Sequence, residues 1–170
     1  WAETTTPDGW TMVTNEGGTT LGYFKGSGLN LIQLDGYAFK DLNRNNLLDQ
    51  FEDWRVDFET RAKALADKIP IGQMMGMKMN PFGRWTVNPD TLDTIIKNSL
   101  DLGYRQLRAP RGGSVDARTK VNWNNMVQKY IEGLKNVVTI PVVWIDDPRS
   151  GDVSSWPSNL GFGATFDPEF

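Results

Sequence analysis

Two residue types are missing altogether: the 170-residue chain contains no cysteine and no histidine. Thiol nucleophiles, disulfide frameworks, Ser-His-Asp triads and the common zinc sites therefore cannot be assembled from this chain alone. Any catalysis must use carboxylates, Lys, Arg, Tyr or hydroxyl groups. Freedom from cysteine also fits a protein exported by a bacterium. No apolar run approaches the ~20 residues that span a bilayer, so no membrane-spanning helix is expected. The formal net charge is −3, with no basic excess of the kind that marks a nucleic-acid partner. The remaining composition, 39% apolar and 23% charged, predicts a folded core rather than disorder. The chain opens on Trp1 rather than Met, which reads as a leader already removed or a shortened chain.

What is present is more informative. Residues 41–52 read DLNRNNLLDQFE, with oxygen-bearing side chains at Asp41, Asn43, Asn45, Asp49 and Glu52. These are positions 1, 3, 5, 9 and 12 of the frame by which one loop folds around Ca²⁺, position 7 (Leu47) lending its backbone carbonyl. Position 6 is Asn46 where glycine is usual, and asparagine tolerates the left-handed backbone. A solvated Asn/Asp-rich turn is the bland alternative. In an EF-hand a helix precedes this loop, whereas here a strand pattern does. The expectation is a lone structural calcium loop tying a hairpin to the helix that follows.

The coarse pattern along the chain supports that placement. The first forty residues are rich in Thr and Gly and read as short strands. LNLIQL, Asp35-Gly36 and YAFKD form a hairpin signal, because Asp-Gly supplies the positive φ angles of a type I′ turn. In 51–68, the apolar residues Phe51, Trp54, Phe58, Ala62 and Leu65 recur at helical spacing, and Pro70 ends the run. IGQMMGMKM (71–79) is expected as a short buried strand with its methionines as core filler. Then come a helix over 91–103 capped by Asp90 or Thr91, a strand RQLRA (105–109), a long helix over 115–136, and the apolar strand IPVVWID (140–146). Alternating strands and helices predict βαβ units on a parallel sheet, and hence an α/β fold. A flavodoxin-like domain is disfavoured, since no Gly-rich phosphate loop follows a strand.

In such architectures ligands bind beyond the carboxyl ends of the strands. The strand IPVVWI runs directly into Asp146, Asp147, Pro148 and Arg149. A ligand-facing site and an ion pair that merely orders the loop are both open readings of this cluster. Adjacent side chains on an extended strand alternate, so Asp146 and Asp147 do not form an acid/base dyad.

Three ordered stretches resemble glycoside hydrolase family 3. YAFKDLNRNNLLDQFEDWR (37–55) is similar to the segment preceding the barrel in secreted bacterial members. VNWNNMVQKYIEGLKNVVTIPVVWIDDPRSG (121–151) is similar to the family's Asn-Asn-x-x-Gln helix, Ile-Pro strand and Asp-Pro-Arg turn. SSWPSNLGFGATFDPEF (154–170) resembles its Trp-Pro-x-x-Leu-Gly signature. The passage DKIPIGQMMG (67–76) is shorter than the family's usual insertion there.

The resemblance implies the first part of a (β/α)₈ TIM-like barrel, in a retaining exo-acting β-glycosidase of β-glucosidase type. By motif position, Asp147 matches the aspartate that holds hydroxyls of the sugar in the cleaved subsite, and Arg149 is a further substrate-binding candidate. The family's aspartate nucleophile lies in an Asp-Trp motif well downstream, and its glutamate acid/base later again. Both lie beyond the stretch matched here, and Asp53-Trp54 belongs to the segment that precedes the barrel, so no catalytic residue is assigned within these residues and the stretch alone is expected to be inactive. The implied organisation is an N-terminal β extension (1–40), the calcium loop and helix start (41–55), and the incomplete barrel (56–170). The expected partners are a β-linked oligosaccharide or glucoside and the remainder of the barrel, in a secreted or periplasmic protein. The competing reading is a non-catalytic, calcium-stabilised carbohydrate-binding module using Trp85, Trp123, Trp144 and Trp156 as stacking surfaces.

Overall fold

A computed structural model describes residues 1–79, 87–108 and 116–145. Three short strands, β1 (Ala2–Thr5), β2 (Trp10–Thr14) and β3 (Thr20–Phe24), form an antiparallel meander in sequence order. Alternation along β2 buries Thr11 and Val13 on one face. Val13 and Tyr23 join Leu29 and Ala38 in a small core.

The hairpin follows. β4 (Asn30–Leu34) pairs with β5 (Tyr37–Asp41), register Leu34↔Tyr37. Asp35 and Gly36 both take positive φ, 53° and 80°, as a type I′ turn requires. Asn15 joins the hairpin to the meander by acting as a surrogate peptide group. Its Nδ2 donates to the Ala38 and Thr19 carbonyls, and its Oδ1 accepts the Ala38 N–H at 2.8 Å. The side chain is 2% exposed, so nearly all its polar capacity is met inside the protein.

The helical region departs from the sequence reading in three places. The helix expected from residue 51 begins later: α1 runs Phe58–Lys68, with Asp57 as N-cap accepting the Thr60 N–H. Phe51 is buried in the core and Trp54 half-buried, both from the turns ahead of the helix, while Phe58 of the same spacing is exposed. Trp54 stacks on Phe39 and donates its indole N–H to the Ala38 carbonyl. An Asp cap outcompetes continued helical periodicity, because it satisfies orphan donors of the first turn.

Second, the strand expected over 71–79 is a helix, α2 (Ile71–Lys78). Pro70 stands at its N-cap, pre-set for entry into a helix. Gln73 and Gly76, three residues apart, are its buried positions. Met74 and Met77 pack with Phe51, Ile69 and Val138, while Met75 and Met79 are exposed. The apolar content of the run masks a one-sided spacing. Of its residues only Ile71 is β-branched, and Met and Gln favour helix.

Third, α3 (Thr94–Asp101) is capped by Asp93, whose carboxylate accepts the Ile96 N–H at 2.8 Å; Asp90 and Thr91 lie outside it.

The remaining elements are β6 (Gln106–Arg108), α4 (Ala117–Gly133) and β7 (Val143–Ile145). β6 and β7 pair in parallel, Leu107 opposite Trp144, with α4 between them in sequence. This is a βαβ unit. Its core takes every fourth residue from two segments: Leu92 just ahead of α3 with Ile96 and Leu100 on it, and Trp123, Val127 and Ile131 along α4, closed by Leu107 and Val142. Each buried aliphatic side chain there contributes roughly 1.5–3 kcal/mol. Among the described residues the sheets hold three, two and two strands, and none closes on itself.

Candidate functional site

The loop after β5 is built around two buried carboxylates. Asp41 is fully buried and Glu52 is 4% exposed. Both are held by backbone N–H groups rather than by basic side chains. Asp41 accepts from Asn45 and Asn46, while Glu52 accepts from Leu42, Asn43 and Asp49. Arg44 and Asn46 take left-handed φ of 61° and 60°, so the chain curls and aims these amides inward. The sequence expectation for Asn46 thus agrees with its backbone. Asn43 and Asn45 both donate their amide Nδ2 to Asp49 Oδ2, at 2.6 and 2.8 Å. The other Asp49 oxygen pairs with Lys68 at 3.1 Å. Leu47 is exposed at the tip.

The electrostatics follow from this packing. Burial pushes the Glu52 carboxyl up to about 6, partly offset by the three N–H donors, with the like charge of Asp41 adding to the rise. For Asp49, the Asn43, Lys68 and Asn45 bonds outweigh burial and hold its carboxyl below the usual range. Among the described residues, no three acidic side chains converge as a ready-made metal cluster. The six loop positions offer a mixed set of oxygen groups instead, carboxamides and a backbone carbonyl beside the carboxylates. Such a set fits a hard cation of the calcium type. The two neutral Asn amides stabilise the Asp49 oxygen by hydrogen bonding, a task a cation would take over.

The second candidate is the end of β7. The strand is positioned by its pairing with β6 and by the Val143 N–H, which donates to the Arg105 carbonyl at 2.7 Å. Gln128 of α4 clasps Val142 on both sides: its Nε2 donates to the carbonyl and its Oε1 accepts the N–H, each at 3.2 Å. This amide belongs to the Asn-Asn-x-x-Gln stretch singled out in the sequence. Asp147 and Arg149, the expected sugar-binding residues, lie outside the described residues, as do Asp146, Trp85 and Trp156.

Two expected stacking platforms can be judged. Trp123 is fully buried in the main core, with its ring centroid 5.8 Å from that of Trp144. Trp123 is therefore a packing residue with no face free for a sugar, and Trp144 is partly buried against it.

Several residues not anticipated from sequence connect the two candidates. Lys40 pairs with Glu132 of α4 at 3.0 Å, and Glu132 also accepts the Phe24 N–H at 2.7 Å. Arg44 donates to the carbonyls of Ser27 and Glu132. Thr139 bonds the Leu42 carbonyl with both its N–H (2.8 Å) and its hydroxyl (3.0 Å). The one available sequence signal was Glu132 itself, an acid beside the apolar stripe of α4.

Against known proteins, the chain resembles a bacterial glycosidase. That relative is the periplasmic beta-glucosidase/beta-xylosidase of Dickeya chrysanthemi, 27% identical over 159 residues covering 84% of this chain and 24% of the relative. The chain thus spans about a quarter of the relative's length. No family model matches the chain. The likeness is coarse support for a glycosidase-like hydrolase. The relative's name places it in the periplasm, and among the described residues no helix is long and apolar enough to cross a membrane.

Proposed function

We propose that this chain is the N-terminal part of a retaining, exo-acting β-glycosidase of family 3 type, in which Asp147 binds the sugar of the cleaved subsite. The observation that carries the reading is the distant likeness to a beta-glucosidase/beta-xylosidase along 84% of the chain. It is supported by a parallel βαβ unit whose second strand leads into Asp146-Asp147-Pro148-Arg149. Strand ends of this kind are where parallel α/β folds bind ligands. A carboxylate there accepts hydrogen bonds from two sugar hydroxyls, which are shorter and stronger than neutral ones. It also discriminates against analogues lacking those hydroxyls, because its charge would be left unpaired. Arg149 contributes a second, cationic contact. The nucleophile and acid/base come from the remainder of the barrel, and the protein acts in the periplasm or outside the cell.

Asp41, Asn43, Asn45, Leu47, Asp49 and Glu52 would hold a calcium ion. When bound, the ion supplies structural charge compensation for the buried carboxylates and takes no part in bond cleavage.

The test is hydrolysis of aryl β-glucosides and β-xylosides by the intact protein, with the anomeric configuration of the first-formed product read by NMR. Turnover with retention, lowered at least 100-fold by Asp147→Ala, is expected. Absence of hydrolysis on every β-glycoside, with oligosaccharide binding retained, would favour the carbohydrate-binding module instead.

A further inference from the structure

Residues 40 to 45 alternate in what they face. The odd positions, Asp41, Asn43 and Asn45, turn their side chains into the loop, where they bond its own amides or Asp49. The even positions turn the other way. Lys40 reaches the Glu132 carboxylate, the Leu42 carbonyl takes both Thr139 bonds, and Arg44 reaches the Glu132 carbonyl. These three contacts land on one stretch, the last turn of α4 and the connection leading to β7, while Lys40 also reaches the Gly22 carbonyl and Arg44 the Ser27 carbonyl. The left-handed φ of 61° at Arg44 is costly for a long side chain. Here it directs the guanidinium away from the loop interior toward α4.

We infer that residues 40–45 form a two-faced ribbon coupling cation binding on one face to the fastening of the α4–β7 connection on the other. Thr139 and Arg44 are its positioning residues. Nothing in the donor set requires these contacts. A cation drawing Asp41, Asn43 and Asn45 together fixes the peptide planes between them, and those planes carry the Leu42 carbonyl and set the direction of Arg44. The coupling makes the order of the segment leading into β7 depend on the cation. This inference rests on the calcium reading of the loop.

Coupling of this kind is reciprocal. If calcium strengthens the Thr139–Leu42 contact, that contact must strengthen calcium binding by the same factor. The test uses the intact protein and calcium chloride. Calcium affinity is measured by calorimetry for wild type, Thr139→Val and Arg44→Gly, and amide hydrogen exchange is followed with calcium and with chelator. Thr139→Val deletes one hydrogen bond and no cation donor. Arg44→Gly removes the reach to α4 while relieving the left-handed backbone. Each is expected to weaken calcium binding about three- to tenfold. Chelation is expected to speed exchange at Thr139 and Val143 together with Asn45 and Asn46. Protection confined to 41–52, with unaltered affinity in both variants, overturns the coupling and leaves the calcium site standing. No calcium effect on any amide removes the calcium site, and the coupling with it.

Discussion

Removing the Glu132 carboxylate offers the sharpest test of how the N-terminal sheets are held to α4. The side chains of Lys40 and Glu132 are 14% and 7% exposed. They stand beside Trp10, Ile131 and Pro141 along a cavity of about 150 Å³. Glu132 accepts two charge-assisted bonds, from Lys40 Nζ at 3.0 Å and from the Phe24 N–H at 2.7 Å. In Glu132→Ala, Lys40 retains, among the described residues, only the Gly22 carbonyl at 2.8 Å, so an ammonium is left without its described counter-charge in a largely apolar wall. Breaking a buried pair in this way costs roughly 3–5 kcal/mol. The surviving Gly22 bond and the residual exposure of Lys40 place the expected loss at the lower end, ~3 kcal/mol. Lys40→Met leaves Glu132 still bonded to the Phe24 amide, and costs about 2 kcal/mol. The double variant removes both charges together, so the two losses do not add. A double-mutant cycle by urea unfolding of the intact protein is expected to give a coupling of about 1.5–3 kcal/mol. Amide exchange at Phe24, the donor itself, should accelerate in Glu132→Ala and stay slow in Lys40→Met. Coupling below ~0.5 kcal/mol, with Phe24 still protected in Glu132→Ala, would refute the view that this pair fastens sheet to helix.

Other outcomes follow from the same geometry. With chelator present, Glu52 sits at about 6 folded against 4.5 in the unfolded chain, so between these values the folded state binds more protons. Stability should therefore fall by about 2 kcal/mol as pH rises from about 4.5 to about 6, then level off. Urea midpoints across that range check this, and Glu52→Gln should flatten the profile. Asp41→Ala and Glu52→Ala should each abolish the calcium-dependent rise in melting temperature, worth about 2.7 kcal/mol at 100-fold excess over Kd. A melting point indifferent to chelator in the wild type would reduce the loop to a turn. Gly76→Ala would place a methyl 2.5 Å from the Leu102 carbonyl oxygen and 2.7 Å from the Gly103 carbonyl carbon. Because those are backbone atoms, a loss of about 1–3 kcal/mol is expected, measured by thermal unfolding.

The parts of this fold that sequence revealed are those governed by local chemistry. Asp35-Gly36 announced a turn because few other pairs accept two positive φ angles, and Asn46 marked a left-handed position in the loop after β5. α4 was visible because Trp123, Val127 and Ile131 repeat on one face. What stayed hidden depended on partners distant in sequence. The run from Ile71 to Met79 reads as apolar until Gly76 is seen against Leu102 and Gly103, which makes the spacing of Gln73 and Gly76 meaningful. Trp123 resembles a sugar platform in sequence, yet its burial among α3 and β6 residues is set entirely by tertiary packing. The even-numbered contacts of residues 40–44 were equally illegible, since Thr139 and Glu132 carry no mark of their destination. Asp147 and Arg149 rest on motif position, and they lie outside the described residues.

The central claim is that β7 delivers the Asp147 carboxylate to a sugar. A crystal structure of the intact protein soaked with the monosaccharide product tests it most directly. The expected result is a pyranose with two hydroxyls within about 2.5–3.0 Å of the Asp147 oxygens. A sugar bound elsewhere, with Asp147 turned to the outer wall of the fold, would contradict it.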